Sequence, residues 1–300
     1  MKKLLASGLG GGLDIINASL LYFAAKNEEV PIVLGSVRPA PLEALTGRLR
    51  FSYSGAWVNK DTKINYSGRY IEPRVASLLE EEIMFFSRKY EKRSDPFYLR
   101  TAIRHAKSWY GLTDMIFVDG GGDSMILTQQ DADGTAESID PFYGGDAEAL
   151  TALDKVPNTY LAVVSVGLDV SEKGFQKNIK LLKKRDAYFG KVNLVTREKQ
   201  DYQLEHLLEF KEGFLAPFFD LAENTLVLTE DDFDNPDKMK SHTAVVTYHA
   251  LKGNFGLKRT YVDWEPVTDG RKGVIVKPEH CWMYFFDAQQ IHKLKLELNS

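Results

Sequence analysis

The chain has 300 residues, 44% hydrophobic and 12% aromatic, which is enough to bury a full core in one large domain or two small ones and excludes disorder. A formal net charge of −4 argues against a general nucleic-acid or anionic-membrane partner, since either favours a basic surface. Cys281 is the only cysteine, so an intrachain disulfide and a cysteine-built zinc site are both excluded, and a reducing compartment fits.

Taken in chain order, the apolar run after Met1-Lys2-Lys3 is broken at once by Gly8 and Asp14, so it reads as a first strand, Lys3 to Ser7, rather than a signal peptide. No later apolar stretch approaches the roughly 20 residues of a membrane helix, and a cytoplasmic protein is expected. Leu13 to Lys26 reads as a helix with Ile16, Leu20 and Phe23 on one face, and Pro31 to Val37 as a second strand. This βαβ unit implies a parallel sheet. Arg48 to Tyr70, with Tyr53, Trp57 and Tyr66 among polar residues, reads as a hairpin or small insertion. Pro73 to Glu91 reads as one long helix with Val75, Leu78, Leu79, Ile83 and Phe86 on its apolar stripe, and Pro96 to Tyr110 as another that ends at Gly111. Asp114 to Val118 is a buried-strand pattern, Asp146 to Leu153 a short helix, and Tyr160 to Val166 another apolar strand. Beyond these, Ser171 to Lys184, Tyr202 to Leu215 and Thr243 to Leu251 read as helices, and Thr225 to Leu228, Arg259 to Val262 and Met283 to Phe286 as strands. The alternation predicts a single α/β domain over 1–300, a Rossmann-like open and mostly parallel sheet with helices on both faces.

Three glycine-and-aspartate loops fall where strands end. The first, Gly8-Leu9-Gly10-Gly11-Gly12-Leu13-Asp14, lets backbone N–H groups approach a phosphate at the positive end of a helix. Its sixth position is Leu13, so the dinucleotide fingerprint G-x-G-x-x-G is not met. Asp14 repels a bare pyrophosphate, which calls for a divalent metal between them or for a ligand that offers hydroxyls or amines; the plainer reading is a tight turn with Asp14 starting the helix. Arg38, after the second strand, is a candidate to clamp charge or to accept the 2′-phosphate of NADP, with a solvated arginine as the alternative.

The second loop, Asp119-Gly120-Gly121-Gly122-Asp123-Ser124, carries more information. Two carboxylates flanking three glycines at a strand end can hold a hard cation such as magnesium, and the glycine backbone leaves room for a ligand. The third is Ser165-Val166-Gly167-Leu168-Asp169. In a parallel sheet all three loops lie along the carboxyl edge, where open α/β sheets place ligands. Asp14, Asp119, Asp123 and Asp169 can then converge, which requires a bound cation or raised pKa values. A rival reading comes from Gly122-Asp123-Ser124-Met125, which resembles the nucleophile block of the GDS-type serine esterases. The block lies mid-chain here rather than near the N-terminus, and the nearest terminal acid–base pair, Asp287 with His292, departs from that family's D-x-x-H spacing.

The order of these motifs resembles the domain of unknown function 1152 proteins. The residues that carry the resemblance are Gly10-Gly11-Gly12 with Asp14, Asp119 with Gly121-Gly122-Asp123, Asp146-Ala147 running to Leu153, and Gly167 with Asp169. It covers roughly residues 5 to 170 and only loosely the segment around Tyr284-Phe285-Phe286-Asp287. The resemblance implies a Rossmann-like fold and no particular activity. Loop chemistry leads to a metal-assisted enzyme acting on a nucleotide or phosphorylated small molecule. Gly8, Gly10, Gly11, Gly12 and Gly120 to Gly122 would face the ligand, Asp119 and Asp123 would hold Mg2+, and Asp14 or Asp169 would orient a nucleophile or substrate hydroxyl. The alternatives are a non-catalytic nucleotide or small-molecule binding protein, an NADP-linked oxidoreductase, and a serine hydrolase acting through Ser124.

Overall fold

A computed structural model of the chain describes residues 3–10, 14–27, 30–66, 70–90, 93–120, 122–131, 145–164, 170–193, 199–200, 226–228, 245–247, 263–266, 272–275 and 282–300. Ten strands form its main sheet: β1 (Leu4–Gly8), β2 (Ile32–Arg38), β3 (Leu49–Ser52), β4 (Gly55–Val58), β5 (Ile83–Ser87), β6 (Asp114–Asp119), β7 (Thr159–Val164), β8 (Tyr188–Asn193), β9 (Lys199–Gln200) and β10 (Trp282–Asp287). Their order across the sheet is β9-β8-β10-β7-β6-β1-β2-β5-β4-β3.

The five central strands, β7-β6-β1-β2-β5, are all parallel. β1, β5, β6 and β7 are buried at every position, as expected of strands covered on both faces, and this is why they read as continuous apolar runs rather than alternating ones. The expected parallel sheet forms the centre, and antiparallel strands extend it on both flanks. β10 inserts antiparallel between β7 and β8, and the β3–β4 hairpin, within the aromatic stretch 48–70, extends the opposite edge antiparallel to β5. The sheet is therefore mixed, with a parallel Rossmann-like centre.

Among the described residues six helices join or flank these strands: α1 (Asp14–Asn27), α2 (Glu72–Leu79), α3 (Pro96–Tyr110), α4 (Gly145–Leu153), α5 (Glu172–Lys183) and α6 (Ala288–Leu298). α3 begins where Asp95 accepts a hydrogen bond from the Phe97 N–H and ends at Gly111 in the left-handed region, φ 66°. Ser171 caps α5 by accepting from the Gly174 N–H. Side chains at 16, 20 and 23 of α1 lie outside the described residues.

One expected helix splits in two. The segment Pro73 to Glu91 forms α2 and then β5, with Glu80 in the left-handed conformation at φ 53° between them. Ile83-Met84-Phe85-Phe86 is a solid apolar run that fits a buried strand as well as a helix stripe, and the end of the helix at Glu80 decides for the strand. Similarly, Val245–Thr247, inside an expected helix, pairs with Leu226–Leu228 as a parallel strand, in keeping with its β-branched content. Tyr202 to Leu215 and Arg259 to Val262 lie outside the described residues. Among the described residues no helix is long and apolar enough to cross a membrane.

The topology fixes where loops meet. From β1 the chain moves outward through α1 to β2 and later β5, and then returns to the other side of β1 for β6 and β7. The carboxyl ends of β1 and β6 are therefore neighbours, with Gly8 opposite Val118 and the Leu9 N–H donating to the Val118 carbonyl at 2.9 Å. This reversal of strand order is the crevice in which open α/β sheets bind ligands.

Candidate metal centre at the carboxyl edge

Asp14 joins the first two loops. Its Oδ2 accepts from the Gly10 N–H at 3.2 Å and its Oδ1 from the Gly120 N–H at 3.1 Å, so one carboxylate spans the β1 and β6 loops. Asp119, at the end of β6, is 1% exposed. It accepts from the Gly122 N–H at 3.2 Å on each oxygen, from the Ser124 N–H at 3.2 Å, and from the Ser124 hydroxyl. Gly122 holds φ 95°, which turns its N–H back toward Asp119 and which L side chains rarely adopt.

Asp146 completes the group. It is the second residue of α4, its carboxyl is buried, and one oxygen each from Asp119, Asp123 and Asp146 lie within 4.8 Å of one another. Burial pushes the Asp146 carboxyl well above the usual carboxylate range, and the charges of Asp123, Asp119 and Asp14 push it further in the same direction. Lys295 of α6 also belongs here, with 1% exposure. Burial drives its ammonium down to about 8, against the opposing pull of Asp123, Asp146 and Asp119.

The glycines have concrete neighbours. A Cβ on Gly10 would stand 1.7 Å from Asp146 Oδ1, one on Gly120 2.5 Å from Asn17 Nδ2 and 2.9 Å from Asp14 Oδ1, and one on Gly8 2.6 Å from the Ile15 nitrogen. The missing side chains thus admit α1 and the carboxylates of Asp14 and Asp146 to the loop backbone.

Of the residues nominated from sequence, Asp14, Asp119 and Asp123 come together, with Gly10, Gly120 and Gly122 around them. Gly11, Gly12, Gly121 and Asp169 lie outside the described residues. Arg38 is buried at the end of β2, where its Nε pairs with Glu72 at 3.1 Å and its guanidinium lies 4.8 Å from the Tyr70 ring centre. Ser36 donates to the same Glu72 oxygen at 2.8 Å. Ser124 is fully buried with its hydroxyl donated to Asp119. Asp287 instead caps α6, accepting from the Gln289 and Gln290 N–H groups, and His292 is buried near Asp154, Lys295 and Arg100.

Sequence reasoning missed Asp146 and Lys295 as site residues. Asp146 lies within the segment that carries the family resemblance, but a single aspartate at a helix start is an ordinary helix-start residue and marks no ligand by itself. Lys295 had no local signal, because its neighbours are fixed only when α6 packs beside α4.

Such a constellation can take a hard divalent cation on carboxylate oxygens and raise the acidity of what the cation binds. Neither a curated protein nor a solved structure matches the chain. The family model described as protein of unknown function DUF1152 does match, over residues 5–210, which is more than half of the chain, and the chain belongs to that family.

Proposed function

We propose that this protein is a metal-assisted enzyme acting on a nucleotide or another phosphorylated small molecule, with the cation held by Asp119, Asp123 and Asp146 in the crevice between β1 and β6. The observation that carries the reading is the approach of three carboxylates within 4.8 Å at the switch point of a Rossmann-like sheet, with a proton favoured on one of them. Carboxylates so close in a buried crevice repel one another; the raised pKa of Asp146 and the Lys295 ammonium both reduce that repulsion, and a divalent ion would reduce it further. The same charge excludes a bare phosphate, so the anion follows the metal. Asp14, shared between the two loops, is placed to fix the crevice, and a water or substrate hydroxyl on the cation would be the nucleophile.

The test is calorimetric titration of the full chain with Mn2+ and Mg2+, followed by a thermal-shift screen of nucleotides and sugar phosphates with and without the metal. Asp123→Asn and Asp146→Asn are each expected to weaken the cation by about tenfold or more while the Asp123 variant keeps its melting temperature nearly unchanged. Phosphorylated ligands should stabilise only when metal is present. No metal uptake by the wild type, or anion binding that ignores metal, would refute the reading.

A further inference from the structure

Arg88 stands one residue beyond β5, on the same carboxyl edge and two strands from β1. Its side chain, 11% exposed, reaches the start of α4, where Nη1 pairs with Glu148 at 3.1 Å. Both Nη atoms lie 3.5 Å from the point where Gly145 would carry a Cβ, and that point is 3.4 Å from the Gly10 carbonyl oxygen. The next residue is Asp146, whose carboxylate presses on Gly10. The guanidinium fork therefore lies at the seam between the first glycine loop and the aspartate cluster.

One feature sets this arginine apart from an ordinary ion pair. Asp146 and Glu148 in the first turn of α4 already place negative charge at the helix start, and Glu148 takes one arm of the fork. The Arg88 Nε, however, is buried and has no hydrogen-bond partner among the described residues, which leaves a desolvated donor. An anion with two or more oxygens offers the acceptors that a planar fork still lacks. Gly145 contributes no side chain that would fill the space over the fork.

We propose that Arg88 binds the phosphoryl group of the ligand held at the aspartate centre, the task the sequence suggested for Arg38. Arg38 is held in its buried pair with Glu72. Glu148 occupies part of the Arg88 fork until the phosphoryl oxygens arrive. The proposal rests on the metal reading of the site and adds the residue that orients its substrate.

Pyrophosphate is the probe, titrated calorimetrically into the full chain at saturating Mn2+, with wild type, Arg88→Met, Arg88→Lys and Glu148→Gln compared. Arg88→Met should weaken pyrophosphate about tenfold or more, the loss expected for a hydrogen-bonded charge. Arg88→Lys should recover only part of it, because the fork is lost, and Glu148→Gln should bind at least as tightly as wild type. Mn2+ affinity without pyrophosphate should stay within twofold across the set. Equal losses in Arg88→Met and Glu148→Gln would reduce the pair to a structural bridge and overturn the proposal. So would wild-type affinity in Arg88→Met, or no pyrophosphate uptake by the wild type. Failure of the metal reading appears separately, as a wild type that takes up no Mn2+.

Discussion

Gly10 and Asp146 show how one contact shapes this crevice. Gly10→Ala would place a methyl 1.7 Å from Asp146 Oδ1, a clash that a short side chain on a buried helix start relieves poorly. The expected cost is about 1–3 kcal/mol in urea unfolding, and Asp146→Ala in the same background should recover part of it. A Gly10→Ala protein as stable as wild type would show that the carboxylate does not rest against the loop. Asp146 also predicts a pH dependence. Its folded pKa lies above its unfolded one, so between the two the folded state keeps a proton that the unfolded chain has lost. The contribution of Asp146 to metal-free stability is then greatest below the ordinary carboxylate range and falls as pH rises through the raised value. Melting curves across that window should show the fall, and Asp146→Asn or saturating Mn2+ should flatten it.

At the scale of elements, the loop that carries Asp123 is anchored from behind. Asn178 of α5, fully buried, donates to the Met125 carbonyl at 2.9 Å and to Asp131 Oδ2 at 3.2 Å. Asp131 also accepts from the Thr128 N–H at 2.9 Å, the Thr128 hydroxyl at 3.0 Å and Lys177 Nζ at 2.6 Å, and burial is outweighed by these partners so that its pKa lies below the usual value. Asn178→Ala strands a buried carbonyl and should cost about 1–3 kcal/mol of stability. Its Mn2+ affinity, measured on the folded variant, should fall less than that of Asp123→Asn, because it loosens the loop and leaves the carboxylates in place.

For the whole molecule, the C-terminal segment is part of the core and of the site together. β10 fills the sheet between β7 and β8, and α6 buries Ala288, Ile291 and Leu294 while bringing Lys295 to the aspartates. Asn299 Nδ2 donates to the Lys295 and Leu127 carbonyls, each at 2.7 Å, which ties the end of α6 to the loop after Asp123. Removing residues 288–300 should therefore abolish a cooperative thermal transition and the near-ultraviolet circular dichroism of packed aromatics. A truncated chain that melts with wild-type enthalpy would show α6 to be peripheral, even though it lies beyond the family match at residue 210.

Local chemistry made much of this legible from sequence. Glycines and aspartates after apolar runs marked the ends of β1 and β6, Pro96 and Gly111 bounded α3, and the βαβ pattern implied a carboxyl edge where Asp14, Asp119 and Asp123 meet. These signals are local because backbone conformation and burial are written residue by residue. Only the tertiary structure decided that Asp146 joins those aspartates, that Lys295 lies among them, that Arg38 pairs with Glu72, and that Arg88 lies at the start of α4. It also decided that β10 runs antiparallel beside β7. Such neighbours depend on strand order and helix packing between segments far apart in the chain, and no local periodicity encodes which distant side chain will arrive.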